Sequence, residues 1–364
     1  MWIQSGENGM IFVRTDDLKD GMRLARPIYN HNGVLLFEQD SRLTTQSISS
    51  IRNFKLFGVY ILEPAEPVPP MSEEDMEFER FQAEYVYRLK DELDYIIEHH
   101  KFSKIQLIVG VLQRNYGLKS SKMHFMQSLR SGEDYVYRHS LNVGILSALL
   151  AYKLNLKIEE CECTITAALV HDIGKLMGVS VPNNSNETEN LEYMPTREAE
   201  GHELLETVFA SKPNIRRICN HALRTKKSFM EGTEIDTKVV NGSKVLMVAE
   251  YYDTMTAMNM EKEPQSEIST IKQMLKREDV FDKKVVEALL ASINIVYPGV
   301  SVELNTGAQA LVLKENPENI MRPTVLLFKD NTILDLSDSE NEDIEIVDVV
   351  KTMDNRLVIQ DPTL

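Results

Sequence analysis

The sequence predicts a multidomain α+β protein in which an all-α helical middle is flanked by small β-rich units at its N- and C-terminal ends. Three observations carry this. Between about residues 72 and 298, apolar residues recur every three or four positions, the period of a helix with one buried face. Before residue 65 and after residue 300, short apolar runs separated by turn residues replace that period. The 364-residue chain, with 43% hydrophobic content, is long enough for two or three cores.

In residues 1–65, Met10 to Val13, Val34 to Phe37 and Val59 to Leu62 are short apolar runs, with Asn32-Gly33 as a turn signal. They predict a small β-rich domain. Pro64, Pro67, Pro69 and Pro70 then interrupt regular structure, and Ser72-Glu73-Glu74-Asp75 has the chemistry of a helix start. Phe78, Phe81, Tyr85, Leu89, Leu93 and Ile96 lie along one helical face, so residues 66–125 are read as a linker with connecting helices. Helical patterns continue through Ile105 to Leu112, Ser140 to Leu154, Cys161 to Leu176 and Val285 to Val296, which places the helical domain at 126–298. After Tyr297-Pro298-Gly299 come Ala308 to Leu313, Thr324 to Phe328 and Ile344 to Val350, with turns at Asn305-Thr306-Gly307 and Asp330-Asn331. Residues 299–364 are therefore expected to form a second small β-rich segment, and acidic Asp335 to Asp343 a solvated loop.

Composition narrows the function. A net charge of -16, from 40 Lys+Arg against 56 Asp+Glu, repels a polyphosphate backbone and disfavours polymeric nucleic acid. A small anionic substrate stays open, because bound divalent metal can reverse the local field. Cys161, Cys163 and Cys219, an odd count without CxxC spacing, suit a reducing compartment and read as core residues. No stretch approaches the roughly 20 apolar residues of a membrane helix, and MWIQSGENGM lacks a basic flank followed by an apolar run. A cytoplasmic protein with no membrane partner is expected, and a homodimer is allowed.

Four of the eight histidines, His139, His171, His202 and His221, fall on different segments of the helical middle. His31, His99, His100 and His124 are read as structural or surface residues. His171-Asp172-Ile173-Gly174-Lys175 sets an imidazole beside a carboxylate near a helix end. Helical neighbours diverge by about 100°, so both can serve one metal only if other helices supply further ligands. Imidazole with carboxylate suits iron, manganese or zinc. Gly174 leaves room for a phosphate, and Lys175 offers it a cation.

HDIGK, with YRHSLNV at 137–143 before it and VAEYYDTMTA at 248–257 after it, resembles the HD-GYP family of bacterial phosphodiesterases, whose usual substrate is cyclic di-GMP. LKDGMRLARPIYNHNGVLLF resembles the small domain that often precedes such units, and YPGVSVELNTGAQALVL the segment that closes them. The resemblance implies a helical HD-superfamily domain with one or two iron or manganese ions. It places the metal ligands on His139, His171, Asp172, His202, His221 and Glu250, and a phosphate-contacting lysine on Lys175. In that family the metal ions lower the pKa of a water and neutralise charge building on the phosphoryl oxygens.

The chain departs from the family pattern at several positions. Asn220-His221-Ala222 stands where the family has two histidines and a glutamate, and ALRTKKSFMEGTEID contains no Gly-Tyr-Pro. Only Gly232 to Ile235 resembles the family segment on the C-terminal side of that loop. Glu250 replaces an aspartate, Tyr135 stands where members with a third metal have a glutamate, and TAMNMEKEP lacks the usual arginines. Two readings are open. One is a metal-dependent phosphodiesterase acting weakly on cyclic di-GMP or a related nucleotide, with Arg224, Lys226 or Lys227 supplying phosphate contacts. The other is a catalytically degenerate signalling protein that binds metal or nucleotide as a sensor or scaffold.

Overall fold

The computed structural model describes residues 4–6, 10–30, 33–54, 56–62, 72–177, 199–233, 239–258 and 264–349. His31, Asn32, the prolines at 64–70 and the residues from 350 onward lie outside the described residues.

The N-terminal unit contains β1 (Gln4–Gly6), β2 (Met10–Arg14), β3 (Ile28–Tyr29), β4 (Leu35–Phe37), α1 (Thr45–Asn53) and β5 (Gly58–Leu62). The first sheet runs β1-β2-β5, antiparallel throughout, and β3 pairs with β4. Val13, Leu24, Ile28, Leu43, Ile48, Ile51, Val59 and Ile61 form a small core of their own. Gly58 is needed at the β2–β5 contact, since a Cβ there would meet the Val13 carbonyl oxygen at 2.3 Å. Helix α1, not anticipated from the sequence, starts in a capping box in which Thr44 and Ser47 satisfy each other's backbone N–H.

Helix α2 (Glu73–His99) begins as predicted at Ser72, whose hydroxyl accepts from the Asp75 N–H, and three acids in its first turn complement the helix dipole. Its apolar face, with Phe78, Val86, Leu89, Leu93 and Ile96, merges into the large core of the helical unit. Buried Glu92 accepts from the N–H groups of Ser103 and Lys104 at 2.6 and 2.7 Å and so anchors the start of α3 (Ile105–Leu112).

The remaining helices are α4 (Tyr135–Lys153), α5 (Ile158–Val170), α6 (199–208), α7 (Pro213–Glu231), α8 (Asn241–Thr256), α9 (Glu267–Lys276) and α10 (Lys283–Leu290). Residues 141–151 of α4 and 245–250 of α8 are buried almost without interruption, which marks these as central helices. The predicted helix from Cys161 to Leu176 is broken. It ends at Val170, and a 3-10 turn (Ile173–Leu176) comes next, so His171 and Asp172 sit in the break. Gly201 of α6 packs there so closely that a Cβ would lie 2.4 Å from the Gly174 Cα.

The C-terminal unit has β6 (Ser301–Leu304), β7 (Gln309–Lys314), β8 (Thr324–Leu327), β9 (Ile333–Asp335) and β10 (Ile346–Val349), in the antiparallel order β10-β6-β7-β8-β9. Val302, Leu304, Ala310, Val312, Val325 and Ile346 share the core of the helical unit. The expected fold class is thus observed, a helical unit with small sheets at each end. Among the described residues no helix is long and apolar enough to cross a membrane.

Candidate metal centre

His139 lies in the second turn of α4 and its side chain is buried. Its Nδ1 is 2.7 Å from Oδ2 of Asp253, on α8. A carboxylate only accepts, so Nδ1 carries a proton, and Nε2 is the ring atom left for a metal ion. Asp253 is itself fixed by Arg130, whose Nη2 lies 2.7 Å from both carboxylate oxygens, and by Asn142 Nδ2 at 2.9 Å. Gln127 Oε1 accepts from both Arg130 and Asn142, at 3.0 and 3.1 Å. Burial alone would raise the Asp253 pKa, but the Arg130 guanidinium and the hydrogen bond from His139 hold it well below the carboxylate range. Sequence reasoning missed Arg130 and the role of Asp253, although Asp253 shares a helix face with Glu250 three residues earlier.

His171 comes directly after the last residue of α5. Its Nδ1 donates to the Ala168 carbonyl at 2.8 Å, while its buried Nε2 has no hydrogen-bond partner. Burial lowers its pKa, favouring the neutral ring that metal ligation requires. Nε2 therefore offers a bare lone pair in an interior where an unsatisfied polar atom costs on the order of 1–3 kcal/mol. Glu250, buried on α8, completes the group: one donor atom each from His139, His171 and Glu250 lie within 4.8 Å of one another. Asp172 is beside them, with Oδ2 3.5 Å from His139 Nε2 and 3.6 Å from His171 Nε2.

Two lysines meet these carboxylates. Lys175 Nζ is 2.5 Å from Asp172 Oδ2, and Lys226 Nζ is 2.5 Å from Glu250 Oε1. Burial pushes both acids upward, but the lysines and the His171 imidazole outweigh it. Asp172 is held well below its usual range and Glu250 at about 2. The donor set of two oriented imidazoles and two ionised carboxylates fits a divalent transition ion.

His171, Asp172, Lys175, His202, Asn220 and Glu250 line a narrow cleft of about 40 Å³, which suits an ion and a water more than a nucleotide. It borders a basin of about 410 Å³, where His202 and Asn220 recur with His221, Arg216, Arg217 and Arg224. The structure thus gathers His139, His171, Asp172, Glu250 and Lys175 closely. His202 lines the same cleft outside that group, and His221 lies in the adjoining basin. Asn220 Nδ2 donates to Glu206 Oε1 at 3.3 Å. In place of a Gly-Tyr-Pro loop, α7 continues unbroken to Glu231 and carries Lys226 to the site. The cysteines stay in the helical unit; burial pushes Cys161 up to about 11 and Cys219 up to about 12, far from a reactive thiolate.

Residues 136–283 match the HD domain family. The chain is 25% identical over 209 residues to Cyclic di-GMP phosphodiesterase PA4108 of Pseudomonas aeruginosa, covering 55% of this chain, and it spans about half (49%) of that relative's length. Among solved structures it is similar to Bd1817, a HDG"Y"P protein from Bdellovibrio bacteriovorus, at 14% identity and a TM-score of 0.45, covering 77% of this chain and 98% of that one. Residues 136–283, which hold the His171-Asp172 centre, are thus similar to HD domains, and the chain resembles the HD-GYP proteins, whose Gly-Tyr-Pro tripeptide its sequence lacks.

Proposed function

We propose that this protein is a metal-dependent phosphohydrolase that cleaves a phosphodiester of cyclic di-GMP or a related small nucleotide, slowly, in bacterial cytoplasmic signalling. The observation that carries the reading is the pair of engaged Nδ1 atoms. His139 and His171 each spend Nδ1 on a fixed acceptor, and the two Nε2 atoms are left for an ion beside Glu250 and Asp172. Iron or manganese is expected on His139, His171, Asp172 and Glu250, with His202 and His221 as the further ligands the family resemblance implies. Bound there, the ion would supply Lewis-acid polarisation of the phosphoryl group and acidify a water.

The chain's own residues do the rest. Arg130 and Asp253 hold the His139 ring in one tautomer and orientation. Lys175 lines the cleft, where its ammonium can meet a phosphoryl oxygen as negative charge grows. Arg217 and Arg224 give the adjoining basin positive charge on a chain of net -16, and at about 410 Å³ it is within the size range of ligand pockets. Turnover is slow because few fixed donors hold the dinucleotide, so the scissile bond is seldom near attack geometry.

The test is metal analysis of the purified chain together with a hydrolysis screen over cyclic dinucleotides, linear dinucleotides and mononucleotides. Metal with slow cleavage of a cyclic or linear dinucleotide supports the reading; cleavage of mononucleotides alone overturns the substrate. Bound metal with no hydrolysis at all favours the sensor or scaffold reading, which the Lys226 contact to Glu250 and the amide at Asn220 support.

A further inference from the structure

Glu250 already has a cation. Lys226 projects from α7, which remains helical through this region, and its Nζ donates to Glu250 Oε1 at 2.5 Å. The Glu250 side chain is only 9% exposed, whereas that of Lys226 is 31% exposed. Glu250 is also one of the three residues whose donor atoms cluster within 4.8 Å, so the ammonium sits on a ligand of the metal centre. With Lys175 on Asp172, each carboxylate of the cleft is neutralised by the chain itself.

Two cations cannot share one carboxylate oxygen at full strength. An ammonium bonded to Oε1 withdraws part of the carboxylate's charge from any ion bound to the same group, and a lysine and a divalent ion a few ångström apart repel each other. In a buried site that repulsion is weakly screened by salt. Lys226 has somewhere to go, because it lines the same cleft as Lys175 and His202 and its stem reaches solvent.

We propose that Lys226 is a built-in competitor of the metal ion for Glu250: its ammonium holds the carboxylate that a divalent cation would use, and the cation binds fully only as that contact is given up. The chain then holds its buried acid satisfied without metal, at the cost of metal affinity. Such a residue acts on the centre through Glu250 and is a positioning residue, not a catalytic one. The proposal rests on the metal-centre reading above.

The experiment titrates the full chain, stripped of metal, with Mn²⁺ alone and monitors binding by electron paramagnetic resonance. Wild type, Lys226→Met, Lys226→Gln and Lys226→Arg are compared, with thermal unfolding of each. Lys226→Gln keeps a hydrogen-bond donor for Glu250 and guards against a misfolded methionine variant. The expected result is Mn²⁺ affinity at least tenfold tighter in the two uncharged variants, and within about threefold of wild type for Lys226→Arg, since the charge is restored. Added Mn²⁺ should also raise the melting temperature of Lys226→Gln more than that of wild type, because tighter binding stabilises the folded chain more at the same ion concentration. Equal or weaker Mn²⁺ binding in the folded uncharged variants overturns the competitor role while leaving the metal centre intact. If none of the four folded proteins binds Mn²⁺, the metal-centre reading itself fails and takes this proposal with it.

Discussion

The two sides of the candidate site, the central helices and the α6–α7 pair, are built differently. The His139, His171 and Glu250 wall rises from α4, the end of α5 and α8, helices that pack into the middle of the core. Each imidazole there has a fixed partner on its far nitrogen, and behind His139 stands a buried Arg130–Asp253 pair. The His202, Asn220 and His221 wall stands on α6 and α7, where these three residues are only half-buried and Arg217 and Arg224 face solvent. The difference teaches where substitution is tolerated. A buried carboxylate network cannot lose a member cheaply, whereas an amphipathic surface helix can exchange histidine for asparagine, or a loop for continued helix, without disturbing the core.

The comparison breaks most readily at its strongest point. His171→Ala or Asp172→Ala should abolish bound metal, measured as ions per chain by elemental analysis, because each deletes a donor from the preorganised wall. His202→Ala and His221→Ala should lower affinity by no more than about tenfold each, a difference of about 1.4 kcal/mol. Complete loss of metal in either of the latter would show that both walls are equally required.

Next in size is the support behind His139. Asp253→Asn keeps the shape but weakens the hold on the Nδ1 proton and leaves Arg130 without its countercharge. Metal affinity should fall about 10–100-fold. Stability should fall by about 3–5 kcal/mol, since a buried guanidinium is left uncompensated. A melting curve and a Mn²⁺ titration that both match wild type would remove Asp253 from the site.

Acid sharpens the same contrast in metal-free protein. Glu250 is held at about 2 in the folded chain against an ordinary 4.5. A depressed acid stabilises the fold above its unfolded value, and that contribution is lost as pH falls from about 4.5 towards about 2. The loss should be on the order of a few kcal/mol. Urea midpoints of wild type should therefore drop more steeply across that window than those of Glu250→Gln, and parallel curves would mean that Lys226 and His171 do not hold the carboxylate down.

How much of this was legible depends on how far each contact reaches along the chain. The strands β2, β5 and β7, the capped start of α2 and the helices around His139 and His171 are local patterns, and periodicity with turn chemistry reveals them. Helix α1 escaped because TQSISSIRN offers only Ile48 and Ile51 to the core and its N-terminus depends on a Thr44–Ser47 exchange. The break after Val170 escaped because apolar spacing runs straight through it; Gly174 meeting Gly201 is a tertiary fact. HDIGK was visible because its donors are adjacent in sequence. Arg130 and Asp253 are 123 residues apart, and Lys226 reaches Glu250 across 24, so no pattern in one sequence pairs them.

The smallest expected effect concerns Asn220. It lines both the cleft and the basin, but its amide donates to Glu206 at 3.3 Å, and Glu206 is in turn paired with Arg216. Asn220→His would add an imidazole to the wall that already carries His202 and His221, so metal affinity should rise. The gain should stay below about tenfold, since the new ring has no fixed partner to orient it and Lys226 still stands on Glu250. Hydrolysis of cyclic di-GMP should improve less than metal loading, because an added ligand supplies none of the donors that position a dinucleotide. Mn²⁺ titration and steady-state hydrolysis of the same preparation separate the two quantities. A hundredfold gain in affinity would mean that the α6–α7 wall is preorganised as well as the buried one and lacks only a side chain; a matching gain in turnover would mean that metal loading, not substrate positioning, limits the reaction.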